Sequence, residues 1–137
     1  MSKDTVHTVE AYWDGPIAGV ANFSEKPHYY DVVEDDAEDA DSSLLYTLIP
    51  LNEEIFESVM ENWAIWQRWY KAHEAGETSL DTHPALPEDK DNYNLLKKKI
   101  DSFLFQNRDK SFIKKGKFTV KENAPSLNFT IFEVEWS

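Results

Sequence analysis

The sequence contains no cysteine, only four glycines in 137 residues, and no apolar run near the about 20 residues that a membrane-spanning helix requires. The absence of cysteine excludes disulfides, thiol nucleophiles and thiolate-bound zinc or iron–sulfur centres. The N-terminal segment lacks the apolar core that marks a secretory signal. These absences predict a cytoplasmic protein that does not enter a membrane.

Sequence motifs for catalysis and phosphate binding are also lacking. Gly15 and Gly19 do not lead into a helix, so they form no phosphate-binding loop. The chain has no GxSxG or SxxK motif, and its four histidines show no HxH, HxxxH or HExxH spacing. An EF-type calcium loop needs a central glycine, which the acidic segment 34–41 does not have. We therefore expect no catalytic residue, no metal site and no cofactor.

Aromatic residues are abundant, with five Trp, six Tyr and eight Phe. A chain of this length and composition suits one globular domain over residues 1–137. It is also long enough to bury a core without the help of a metal or a disulfide.

The order of local signals predicts an α+β fold. Runs of β-branched and aromatic residues predict strands over 5–13, 17–23, 28–34 and 43–51, separated by Asp14-Gly15 and by the turn "SEKP". Asn52 and Gly76 are typical end residues for a helix over 53–75, and a second helix is predicted over 91–106. Further strands are expected at 111–113, 117–122 and 127–136. The predicted architecture is an antiparallel sheet, an N-terminal meander plus a C-terminal hairpin, with two helices packed on one face.

Three tryptophans lie on the first predicted helix. Trp63 and Trp66 belong to its apolar stripe and are expected in the core. Trp69 lies nearer the border of that stripe, beside Arg68, and is therefore expected to be exposed. Because tryptophan is over-represented in binding hot spots, Trp69 is a candidate contact for a partner.

Aromatic residues and one histidine cluster around the first two predicted turns. His28 and Tyr30 share one face of the third strand, and Tyr12 and Trp13 end the first. These four side chains could line an aromatic ligand pocket in which His28 performs acid–base chemistry. The alternative, which we favour, is that His28 is an ordinary outward-facing or turn-anchoring strand residue.

Charge is the strongest compositional signal. The formal net charge is −12, with −9 in residues 1–50, −7 in 51–91 and +4 in 92–137. Such a chain repels nucleic acid and anionic membranes and favours a basic partner, although acidic surface also maintains solubility. The predicted partner-binding carboxylates lie in one segment: Glu34, Asp35, Asp36, Glu38, Asp39 and Asp41.

Three stretches, "YWDGPIAGVANFSEKPHYY", "ENWAIWQRW" and "THPALPED", are similar to those of small bacterial proteins of unknown function. The resemblance covers about the first two-thirds of the chain. It implies a bacterial, cytoplasmic protein and assigns a role to no residue.

Two functional hypotheses follow from these features. The first is a non-enzymatic, inhibitor-like or immunity-like domain that binds a basic protein through the acidic segment. The second is a small-molecule-binding protein or enzyme with an aromatic pocket around Tyr12, Trp13, His28 and Tyr30.

Overall fold

Six antiparallel strands close into a barrel in the computed structural model of the chain. The structure describes residues 3–12, 15–34, 43–124 and 129–137. The chain divides into two compact units, residues 1–51 with 107–137 and residues 52–106. In chain order the strands of the first unit are β1 (Asp4–Tyr12), β2 (Pro16–Phe23), β3 (Lys26–Glu34), β4 (Leu44–Pro50), β5 (Phe112–Ala124) and β6 (Phe129–Trp136).

Closure of the sheet distinguishes this fold from the one that the sequence predicts. β1 pairs with β2 on one side and with β6 on the other, through Asp4 opposite Val134 and Thr5 opposite Glu133. The prediction of an open antiparallel sheet with two helices packed on one face is therefore wrong. The prediction failed because the pairing that closes the barrel joins opposite ends of the chain, and such pairing leaves no local sequence pattern.

The longest strand, β5, was predicted as two short segments, 111–113 and 117–122. It is one strand of thirteen residues that pairs with both β4 and β6. Its register against β6 shifts between Val120 and Glu122, and β1 has three further shifts against β2. Such bulges bend strands and increase their twist, which a small closed barrel requires.

The meander from β1 to β4 confirms the strands predicted for the first part of the chain. The turn between β2 and β3 is tighter than the expected four-residue loop, because Phe23 pairs directly with Lys26. Ser24 and Glu25 form this turn with positive φ angles of 52° and 67°. Two successive left-handed residues are the geometry of a type I′ turn, whose twist matches that of the flanking strands.

The barrel core is built from aromatic rings. Tyr30, Tyr46, Phe118 and Trp136 are all in mutual contact, with ring centroids 5.0–6.4 Å apart in every pair. The Tyr30 hydroxyl donates to the Thr8 carbonyl, and the Tyr46 hydroxyl donates to the Pro16 carbonyl. The interior is therefore filled by side chains whose polar ends are already paired within the fold.

The second unit contains helices α1 (Glu53–Glu74) and α2 (Lys90–Gln106), as predicted to within one residue. Asn52 caps α1 by accepting a hydrogen bond from the Ile55 amide, and Gly76 follows the helix with a φ of +75°. Two 3₁₀ turns, Leu80–Thr82 and Pro87–Asp89, lie between the helices.

Polar contacts connect the elements of this unit. The Arg68 guanidinium donates to both carboxylate oxygens of Asp89 at 3.1 Å, and Lys99 lies 3.0 Å from Glu54. Because Arg68, Lys99 and Glu54 are largely exposed, these ion pairs contribute little to stability.

Trp69 is the buried tryptophan of α1, which corrects the expectation that it is exposed. Only 4% of its surface is accessible, whereas Trp63 and Trp66 are half-buried and stack on each other at 5.0 Å. The connection between the helices covers Trp69, since the indole N–H donates to the Thr82 hydroxyl at 2.8 Å and the ring contacts His83. The apolar stripe of α1 gives no information about the residues between the helices that pack on Trp69.

Replacing Gly116 by alanine tests the packing of the barrel interior. A Cβ atom at this position would lie 2.5 Å from the Trp136 ring and 3.0 Å from the Tyr46 ring. We expect Gly116→Ala to lower the free energy of unfolding by about 1–3 kcal/mol, as overpacking usually does. Urea denaturation measures this change. Ile113→Thr, an exposed substitution on the same strand, is the control and should cost within about 0.5 kcal/mol.

Truncation of Trp69 tests the revised helix register. Removing a buried large aromatic side chain typically costs about 3–5 kcal/mol, so Trp69→Ala should strongly destabilise the protein. Leu80→Ala removes an exposed side chain from the neighbouring 3₁₀ turn and serves as the control in thermal melts. Equal melting temperatures for the two variants would contradict the burial of Trp69.

Candidate functional site

The predicted aromatic pocket does not form from its described members. Tyr30 is fully buried in the barrel core, and burial raises the pKa of its hydroxyl well above the usual value. Tyr12 is 61% exposed, and its ring lies 6.3 Å from that of Phe132. Trp13 lies outside the described residues. The three described members, Tyr12, His28 and Tyr30, therefore do not line one pocket.

His28 lies inside the barrel, so the expectation of an outward-facing histidine is wrong. It is 6% exposed and makes edge contacts with the rings of Phe23 and Phe112, at 5.5 and 5.7 Å. Its Nδ1 lies 2.8 Å from the Lys26 carbonyl oxygen. Because a carbonyl oxygen only accepts, Nδ1 carries the proton and the lone pair of the neutral ring is on Nε2.

The charge state of His28 follows from its burial. Desolvation lowers the pKa of the imidazole below its ordinary 6.5, and the hydrogen bond to Lys26 and the charge of Asp4 only partly oppose this effect. His28 is therefore a neutral residue of the barrel interior at neutral pH. Its face on β3 was predictable from strand alternation, but its burial depends on the aromatic neighbours.

The acidic segment joins β3 to β4. Glu34 is the last residue of β3, and residues 35–41 lie outside the described residues, so their role in partner binding stays a prediction. Both strands carry exposed aliphatic side chains beside this connection. Val33, Leu45 and Ile113, on β3, β4 and β5, are 44–58% exposed, and we refer to them as the outer strip.

The outer strip crosses three neighbouring strands. Leu45 pairs with Glu34 on one side and with Lys115 on the other, and Ile113 lies opposite Thr47. Leu45 and Ile113 are thus diagonal neighbours on the outside of the barrel. The outer strip is therefore an exposed apolar surface, and two of its residues, Val33 and Leu45, lie on the strands that the acidic segment joins in the chain.

A second surface feature lies at the other end of β3 and was missed by sequence reasoning. An open cleft of about 630 Å³ is formed by the start of β1, the end of β2 with its turn, and the end of β6. Its lining residues are Lys3, Asp4, Thr5, Asn22, Phe23, Ser24, Glu25 and Trp136. No sequence signal connects these segments, because only closure of the barrel brings β1 and β6 together.

The cleft has a fixed wall and a charged rim. The Trp136 indole N–H donates to the Asn22 carbonyl at 2.9 Å, and the Asn22 side chain is 2.9 Å from His7 Nε2. Burial raises the pKa of the Asp4 carboxyl, and the negative charge of Glu25 raises it further; only protonation of His28 opposes these effects. Lys3, at the same rim, lies 3.4 Å from Glu133.

Two other classes of site find no support in the described part of the chain. Its histidine, aspartate and glutamate side chains form no group of three that could hold a metal ion. None of its helices combines the length and the apolar character that a membrane crossing demands.

Comparison of the chain with protein-family models, with curated proteins and with solved structures finds no match. The geometry of the outer strip and of the cleft, together with the charge of the acidic segment in the sequence, therefore carries the functional argument.

The depressed pKa of His28 predicts how stability depends on pH. The unfolded chain takes up a proton at this site near pH 6.5, while the folded protein does so only at lower pH. The free energy of unfolding should therefore fall as pH decreases from about 6.5 through the pKa of the folded state. His28→Gln should lose this contribution and show a shallower pH dependence.

Urea denaturation of both proteins over a pH series measures the effect, and the difference between them isolates His28 from the other titrating groups. Identical pH dependence in the two proteins would show that His28 is not a desolvated, neutral residue.

Proposed function

We propose that the protein is a non-enzymatic, cytoplasmic interaction domain that binds a basic protein, in the manner of an inhibitor or an immunity protein. The acidic segment 34–41 supplies electrostatic attraction, and the outer strip supplies apolar contact. The observation that carries the proposal is the position of the outer strip, which is exposed on the two strands that the acidic segment connects, β3 and β4, and on the neighbouring β5.

The arrangement resembles the general anatomy of a protein interface, in which an apolar centre is surrounded by a polar rim. Exposed aliphatic residues that occur singly need no explanation, but Leu45 and Ile113 are neighbours on the sheet. Val33 extends the same surface up to the acidic segment. The apolar surface would hold the partner after charge has guided it there.

The sign of the charge favours a basic protein over a nucleic acid. Both units are acidic, with a formal charge of −7 for residues 1–51 and 107–137 and −5 for 52–106. A nucleic acid would be repelled by both, whereas a basic protein would be attracted over long distances at low ionic strength. The aromatic-pocket hypothesis receives no comparable support, since its described members do not converge.

Neutralising the acidic segment tests the proposal. In the test variant, Asp35, Asp36, Asp39 and Asp41 become Asn and Glu38 becomes Gln. A control variant neutralises five exposed carboxylates of the helical unit: Glu57, Glu74, Glu77, Glu88 and Asp91. Both variants have the same net charge, so a difference between them reports position rather than total charge.

Affinity capture followed by quantitative mass spectrometry should recover a protein of positive net charge on the wild type and the control, and not on the test variant. With the purified partner, we expect the dissociation constant to rise at least about tenfold in the test variant, equivalent to 1.4 kcal/mol. Equal loss in both variants, or no charge-selective partner, would contradict a role for the acidic segment.

The outer strip requires its own test. Leu45→Ser should weaken binding of the same partner, mainly by faster dissociation, because it removes apolar contact and leaves the charge unchanged. Val120→Ser is the matched control, since Val120 is an exposed aliphatic residue of the same barrel that does not belong to the strip. If both variants bind like the wild type, the acidic segment acts without the strip.

A further inference from the structure

The cleft between β1, β2 and β6 is separate from the surface proposed above. The acidic segment leaves the C-terminal end of β3, whereas the turn that borders the cleft precedes its N-terminal end. Nine residues of strand separate the two ends by about 30 Å. The cleft therefore needs an explanation of its own.

Negative charge dominates the rim of the cleft. Asp4 and Glu25 both line it and interact electrostatically with each other. The positive charge of Lys3 is matched by Glu133, 3.4 Å away. The charge of Glu25 raises the pKa of Asp4, so the two carboxylates repel each other, and a cation bound near both would relieve that repulsion.

Aromatic side chains form the apolar part of the wall. Trp136 is held in place by its hydrogen bond to the Asn22 carbonyl, and Phe23 is held by the rings of His28 and Phe112. The Phe23 ring already lies 5.5 Å from the ammonium group of Lys114. Aromatic rings beside carboxylates are a favourable environment for organic cations, because the ring face attracts positive charge.

We propose that this cleft binds an alkylammonium or guanidinium group. Asp4 and Glu25 provide the counter-charge, and Phe23 and Trp136 contact the aliphatic or planar part of the ligand. The volume of about 630 Å³ is that of a small-molecule site rather than of a single ion. The same chemistry could come from a free polyamine or from an arginine side chain of a basic protein, and the experiment distinguishes the two.

Titration of the ¹⁵N-labelled protein by NMR tests the proposal with three probes. Arginine amide represents a protein side chain, and spermidine represents a polyamine. Citrulline amide has nearly the shape of arginine amide but carries a neutral urea group in place of the guanidinium. We expect arginine amide, spermidine or both to shift the Trp136 indole N–H and the amides of residues 22–25, with citrulline amide binding at least about tenfold more weakly.

The relative affinity of the two cations identifies the source. Tighter binding of spermidine favours a free polyamine, and tighter binding of arginine amide favours a protein side chain. Equal binding of arginine amide and citrulline amide would overturn the proposal, as would the absence of shifts at the cleft with any probe.

A pair of charge-matched variants distinguishes the cleft from the acidity of the whole chain. Asp4→Asn with Glu25→Gln should weaken cation binding at least about tenfold. Asp31→Asn with Glu57→Gln removes the same charge from exposed positions on β3 and α1 and should bind like the wild type. Equal weakening in both would mean that the cation responds only to net charge, and the proposal would be wrong.

The single variant Glu25→Gln provides a test that does not depend on Asp4, which pairs β1 with β6. Glu25 is exposed in a turn, so its replacement should leave the fold intact while still weakening binding. The variant with the neutralised acidic segment should bind cations in the cleft with the affinity of the wild type. Failure of the partner-binding proposal and failure of the cleft proposal would therefore be seen in different variants.

Discussion

Pairing between β1 and β6 is the contact on which the barrel and the cleft both depend. Among the described residues, two pairs define its register, Asp4 with Val134 and Thr5 with Glu133. The Lys3–Glu133 ion pair lies beside them, but it is partly exposed and contributes little energy of its own. Closure instead gains its stability cooperatively, because it pairs two strands that would otherwise be edges and completes the enclosure of the core.

The core that this closure encloses is filled by aromatic side chains. The cluster of Tyr30, Tyr46, Phe118 and Trp136 occupies the interior, and its two tyrosine hydroxyls are bound to backbone carbonyls. Gly116 allows the rings to approach the β5 backbone, since a side chain there would collide with Trp136. A barrel filled in this way cannot hold a ligand as larger barrels do.

Local signals in the sequence predict local structure well. The cap at Asn52, the glycine at 76 and the alternation of β3 all correspond to the structure, because each is decided by neighbouring residues. Closure was not predictable in the same way, since it depends on pairing residues 4–5 with 133–134. The three-strand cleft was missed for the same reason.

For the candidate site residues, the position in a strand or helix was predictable from neighbouring residues. Their burial was not, because it depends on residues from other elements. His28 was placed on the correct strand, but its burial depends on Phe23 and Phe112, of which Phe112 is far away in the chain. Trp69 was expected to be exposed because its position on the helix is marginal. Thr82 and His83, in the connection that follows, cover it. Periodicity describes a helix face and carries no information on what packs against it.

The ionised carboxylate of Asp4 in the cleft is unfavourable for stability, and this gives it functional interest. Burial and the neighbouring Glu25 raise the pKa of Asp4, so its ionised form destabilises the fold relative to the protonated form. A carboxyl with a raised folded pKa makes the protein more stable in acid and less stable once pH rises through that pKa. The exposed Leu45 and Ile113 likewise add nothing to the core. Residues that weaken a fold at neutral pH are expected where binding, rather than stability, maintains them. In the cleft the missing contribution is a positive charge near Asp4, and on the outer strip it is apolar contact with Leu45 and Ile113.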